Sequence, residues 1–158
     1  MNPLASHDPA LDLILERVVD VPRRLVWAAW TTPALIKQWF APRPWSVTEC
    51  DVDLRPGGMF RTVMRSPEGQ DFPNAGCYLE IVDEQRLVFT DALLPGYRPA
   101  PEPFFTAIIS LEDAGAGTRY VARAMHRDAE AQGRHAAMGF HEGWGTVLDQ
   151  LVATVKAL

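Results

Sequence analysis

Between residues 46 and 126 the chain is cut into short β-type runs by tight punctuation, and almost nothing long enough to cover them comes before residue 127. RPGG (55–58) and SPEG (66–69) carry Pro and Gly where turns need them. A few polar residues separate 75–83 from 86–93, and Asp113-Ala114-Gly115-Ala116 separates 104–112 from 117–126, so both pairs read as hairpins. Residues 11–19, LDLILERVV, form an earlier strand, stopped by Val21-Pro22. Seven antiparallel strands make a bent sheet that must bury one face. The last thirty residues are the only helical stretch of sufficient length.

Residues 23–40 read as two short helices. Val26 and Trp30 are four apart in the first; Leu35/Trp39 and Ile36/Phe40 repeat that spacing in the second. Thr32 is expected to cap the second helix, with Pro33 at its first position. APRPW (41–45) closes the unit. Residues 1–10, with two prolines, read as a loose arm, and 11–158 as one domain. The expected fold is α+β: a seven-stranded curved antiparallel sheet around a long C-terminal helix, with two short helices between strands 1 and 2.

The C-terminal stretch MGFHEGWGTVLDQLVATV (138–155) has helical spacing yet contains Gly139, Gly143 and Gly145. A glycine costs a helix interior roughly 0.5–1 kcal/mol relative to alanine. On a wheel Ala137, His141, Trp144, Leu148, Leu151 and Val155 share a stripe, and Glu142, Thr146, Asp149 and Gln150 lie opposite. The leucine half reads as packing. The glycine half, with small residues and a histidine, reads as lying over a hollow; the competing reading is a kink beside Trp144.

Bulk composition excludes several classes. Net charge is −5 and the basic residues are scattered, with only Arg23-Arg24 adjacent, which argues against nucleic acid. No apolar run approaches the roughly 18 residues of a membrane span. The N-terminus lacks the basic region and cleavage site of a secretory signal. Cys50 and Cys77 read as two thiols in a reducing cytoplasm rather than a disulfide. A cytoplasmic location is therefore expected.

Four stretches, VPRRLVWAAWTTPALIKQWFAP (21–42), DLRPGGMFRTVM (53–64), GCYLEIVDEQRLVFTDAL (76–93) and GFHEGWGTVLDQL (139–151), resemble in order the SRPBCC, or START-like, helix-grip superfamily. The resemblance is to its Aha-type (activator of heat-shock-protein ATPase) and calicheamicin-resistance-like branch. It implies the fold expected above and a cavity between sheet and helix, commonly used for apolar or amphipathic small molecules. It does not imply one chemistry. The eukaryotic co-chaperone resembles this chain only in its C-terminal domain, and 158 residues leave no room for a second domain. A chaperone-regulating module is thus a lesser expectation.

The leading expectation is a pocket that binds a small apolar or aromatic molecule. Trp39, Phe40 and Trp45 around the APRP loop, with Trp144, would wall it. Alternation puts Phe60, Thr62 and Met64 on one strand face, and Tyr120, Ala122, Ala124 and His126 on another. The alanine-bearing face is expected to be concave and roomy, and the arginine faces wet, pairing with residues such as Glu80. Tyr120, His126, His141 and Asp91 would supply polar groups. The rival reading is a cyclase, dehydratase or hydrolase using His141 or His126 as acid–base and Tyr120 as donor. Read as packing instead, His141 makes one hydrogen bond and is simply core.

His135 and His141 are six apart, about 240° around a helix, too far for a zinc pair. No metal is expected. GxSxG, GxGxxG and Walker-type loops are absent from the sequence, so no cofactor is expected either. The loop LPGYRPAPEP (94–103), with four prolines, is expected to serve as a lid or a dimer contact, and a homodimer is carried as an expectation.

Overall fold

The computed structural model describes residues 7–158; most of the N-terminal arm, residues 1–6, lies outside the described residues. Residues 8–12 make a closed turn. Asp8 O accepts from the backbone of Leu11 and Asp12, and the Asp8 carboxylate accepts from Ala10 N.

Strand β1 (Asp12–Val19) leads through Pro22 into α1 (Arg23–Thr31) and α2 (Pro33–Trp39). Proline at the first position of α2 costs no hydrogen bond, because that N–H has no helical partner in any case. The Thr32 side chain makes no capping bond, contrary to expectation; Thr32 instead joins the helices through its extended backbone. Strands β2 (Ser46–Val52), β3 (Met59–Arg65), β4 (Asp71–Val82) and β5 (Arg86–Thr90) follow. The strand expected to start at residue 75 starts at Asp71, and the one expected to reach 93 stops at Thr90. The proline-rich loop folds on itself as a ribbon, β6 (Leu93–Leu94) against β7 (Arg98–Pro99). Strands β8 (Thr106–Ala114) and β9 (Gly117–Met125) form a hairpin whose tight turn places Gly115 at φ 61°.

The seven long strands make one antiparallel sheet in the order β1-β9-β8-β5-β4-β3-β2. The ribbon docks on the RPGG turn. Gly96 N donates to Gly57 O at 2.8 Å, and a Cβ on Gly57 would stand 2.7 Å from the Tyr97 ring. Gly57, at φ 81°, therefore satisfies both a left-handed turn and a close approach.

The C-terminal segment is two helices, α3 (Ala129–Ala137) and α4 (Phe140–Lys156), where one was expected. Asp128 caps α3 by accepting from Ala131 N. Gly139, at φ 87°, breaks the chain between them, so it is not a helix-interior residue. Leu148, Leu151 and Val155 of α4 join Leu13, Leu15, Ile109 and the alanines of β9 in one core. Ala122 and Ala124 belong to that core and leave no space. Ala122 sits between Leu15 and Ile109, and larger neighbours fill the room it concedes.

Helices α1 and α2 pack on one flank of α4. That widens its buried stripe on their side and corrects two expectations. Gln150, placed on the polar face by the wheel, is buried. Its Nε2 donates to Trp39 O (3.0 Å) and Ala41 O (2.8 Å), and its Oε1 accepts from Arg43 N (3.0 Å). His141, placed on the buried stripe, lies on the opposite flank and is exposed. Its Nε2 donates to Ile14 O on the free edge of β1, at 2.9 Å.

The convex-face arginines pair across strands: Arg61 with Asp51 and Glu49, Arg119 with Glu16 and Glu112. Glu80 pairs with Arg86 on the adjoining strand. Most of these pairs are solvated and worth little. Both cysteines are free thiols, and burial pushes Cys50 up to about 11, away from reactivity.

Candidate functional site

Between the N-terminal half of α4 and strands β3, β4, β5 and β9 lies a pocket of about 450 Å³. Its floor is aromatic. Trp30 contacts Trp39, Phe40 and Phe89 with ring centres 4.8, 5.8 and 5.7 Å apart. Phe60 continues the network, meeting Phe89 edge-on at 5.0 Å and stacking on Tyr78 at 5.3 Å. Such edge and offset contacts fix ring orientation as well as burying area. The rim includes Met138 and Asn74, both exposed, so the pocket opens to solvent there.

The three glycines of the C-terminal segment now have separate reasons. Gly139 ends α3. Gly143 faces the pocket, and a Cβ there would meet nothing within 4 Å. Gly145 lets the Arg17 guanidinium cross the helix, since a Cβ would stand 2.5 Å from Arg17 Nη2. Arg17 then reaches Asp149 at 3.3 Å.

Of the residues singled out in the sequence, Trp39, Phe40, Phe60, Met64, Tyr120, Asp91 and Trp144 line this pocket. Trp45, His126 and His141 do not. Trp45 N donates to Pro42 O, and that turn carries the indole past the pocket onto Phe72, 5.4 Å away. His126 lies behind the wall, beside a second hollow next to Phe104, Phe105 and Arg127. His141 is held outside by Ile14, which leaves it no reach to a pocket ligand.

The polar groups are few. Tyr120, fully buried at the floor, accepts from Trp30 Nε1 at 3.1 Å, and its own hydrogen has no further partner among the described residues. Burial raises its pKa well above the usual phenol range, so it stays a neutral donor. Asp91 Oδ1 accepts from Phe104 N (2.7 Å) and Phe105 N (3.1 Å), which pins the end of the proline-rich loop to the pocket wall.

Sequence reasoning missed His135. It lines the pocket from the last turn of α3 and is buried among Phe104, Phe105, Phe140 and Trp144. Its Nδ1 lies 2.8 Å from His126 Nε2. Burial, and secondarily the nearby His126, push His135 down to about 4. The signal was faint: a histidine ending a strand and another nine residues on, across a helix cap. Among the described residues no group of three His, Cys, Asp or Glu side chains is placed to hold a metal ion. No helix among them is long and apolar enough to cross a membrane.

A seven-stranded sheet closed by a C-terminal helix, with a pocket between them, defines the helix-grip class. The model of the family described as "Activator of Hsp90 ATPase homolog 1-like protein" matches residues 20–156, and the chain belongs to that family. A crystal structure of a Nitrosomonas europaea protein is 52% identical over 96% of this chain and 97% of its own, with a TM-score of 0.93. A Rhodobacter sphaeroides protein (24% identical, 97% of both chains, TM-score 0.83) shares the fold. So does an AHSA1-like protein from Aeromonas hydrophila (22%, 93% of both chains, TM-score 0.68). No curated protein matches the chain.

Proposed function

We propose that this protein binds a small apolar or aromatic molecule in the pocket between sheet and α4. The observation that carries this reading is the aromatic floor of Trp30, Phe40, Phe60 and Phe89 around about 450 Å³ of space, with Tyr120, Asp91 and His135 as the main polar groups. That mixture of apolar wall and sparse polar groups, at that size, suits a small-molecule site. A cytoplasmic place for such a binder agrees with two free thiols, one of them fully buried.

Native mass spectrometry of protein purified from its own host, followed by denaturing extraction, tests the reading. A retained apolar or aromatic molecule is the expected result. Protein of the bare chain mass that also fails to quench its tryptophans with any small aromatic probe at millimolar concentration would sink it.

The acid–base reading loses His141, which sits outside the pocket. A chaperone-regulating role gains no contact surface from the pocket geometry. The docked ribbon at 93–99 leaves Tyr97 half exposed, and a self-association contact there is the form in which we retain a homodimer.

A further inference from the structure

His126 and His135 form a hydrogen-bonded chain with a direction. Leu11 O can only accept, so the 2.7 Å contact to it is donated by His126 Nδ1. A neutral His126 then has only a lone pair on Nε2. With His126 in that form the 2.8 Å contact is donated by His135 Nδ1. That leaves His135 Nε2 as a bare lone pair, and no hydrogen bond to it exists among the described residues. His135 lines the pocket and His126 does not; the Nδ1 side of the ring is turned to His126, which leaves the edge carrying Nε2 without a protein partner among the described residues. Four aromatic rings with centres 4.8–6.3 Å away hold the imidazole in that orientation.

We infer that the ligand is an aromatic molecule bearing a hydroxyl or ring N–H, which it donates to His135 Nε2, and that His126 and Leu11 O set the direction of that bond. The inference rests on the pocket reading above and sharpens it. The depressed His135 pKa agrees, because the ring is a neutral acceptor at physiological pH. His126 acts through His135 and is a positioning residue.

Two measurements test this. Two-bond ¹H–¹⁵N correlation of the unsubstituted protein at pH 7.5 should show His135 protonated on Nδ1 and bare on Nε2. The opposite tautomer overturns the inference. In His126→Leu the His135 ring should populate both tautomers; an unchanged spectrum removes the positioning role.

The second measurement is tryptophan-fluorescence titration with 2-naphthol and with 2-methoxynaphthalene, which has the same ring but no donor. 2-Naphthol should bind about fivefold tighter, the usual worth of one hydrogen bond. His135→Phe, which keeps the aromatic packing, should bring the two within about twofold. Equal affinities in the unsubstituted protein overturn the inference and leave the pocket reading standing. A preference that survives His135→Phe assigns the partner to another polar group of the pocket, Asp91 or Tyr120, and also overturns it. Failure of both probes to bind overturns the inference, and takes down the pocket reading too where the purified protein also has the bare chain mass and no other small aromatic probe quenches its tryptophans.

Discussion

From Phe140 to Val147, α4 turns Gly143, Trp144 and Val147 toward a cavity; from Leu148 to Val155 it turns Leu148, Leu151 and Val155 into packed core. The backbone, the helical period and the apolar stripe are continuous across the two halves. Side-chain volume separates them. Where a large aliphatic faces the sheet, the interior fills to the density of an organic crystal. Where Gly143 does, no neighbour comes within 4 Å of the missing Cβ and the space remains. One helix thereby closes the fold at one end and keeps a pocket at the other.

The largest expected effect lies in the packed half. Leu151→Ala should cost about 3 kcal/mol in urea unfolding, since Leu151 is fully buried and the truncation leaves a cavity. Val147→Ala, facing the pocket, should cost under about 1 kcal/mol, because that space is already open. Equal costs would erase the distinction between the halves. Gln150→Leu comes next, at about 2 kcal/mol, because Trp39 O, Ala41 O and Arg43 N lose their partner together.

The third effect is acid sensitivity at the cavity end. His135 falls from 6.5 when unfolded to about 4 when folded, so the unfolded chain takes up the proton first. Its contribution to stability is full above about 6.5 and is lost as pH falls toward about 4. Melting temperature followed across that window should drop less steeply in His135→Phe. Parallel curves would mean that His135 is not buried as described.

The glycines give the smallest effects. Gly143→Ala should stabilise by about 0.5–1 kcal/mol, since its methyl meets open space and alanine is the better helix former. A loss of stability would mean that the cavity is filled at that point. Gly145→Ala should fall within about 0.5 kcal/mol of neutral. The same propensity gain there is offset by displacing the flexible end of Arg17 from a solvent-exposed pair with Asp149.

Much of the strand order was legible, because a strand announces itself locally: alternation on 59–65 and 117–125, and Gly or Pro at the turns. Pocket residues on strands, such as Phe60, Met64 and Tyr120, came with it, since a period of two assigns a face with no tertiary information. Residues on α4 were harder. A wheel gives the direction of a side chain but not the width of the stripe, and the flank covered by α1 and α2 hid Gln150 while the other exposed His141. Trp45 missed the pocket because a turn, not a periodic element, sets its direction.

The sequence by itself determined the strand segments, the two short helices, most of the turns and the amphipathic closing stretch, because each is written in local periodicity and turn residues. Only the tertiary structure decided which histidines matter. His126 and His135 meet where the end of β9 approaches the last turn of α3, and His135 reaches the pocket because Gly139 turns the chain just beyond it. That meeting depends on the angle between two elements, and the angle is set by packing across the whole core.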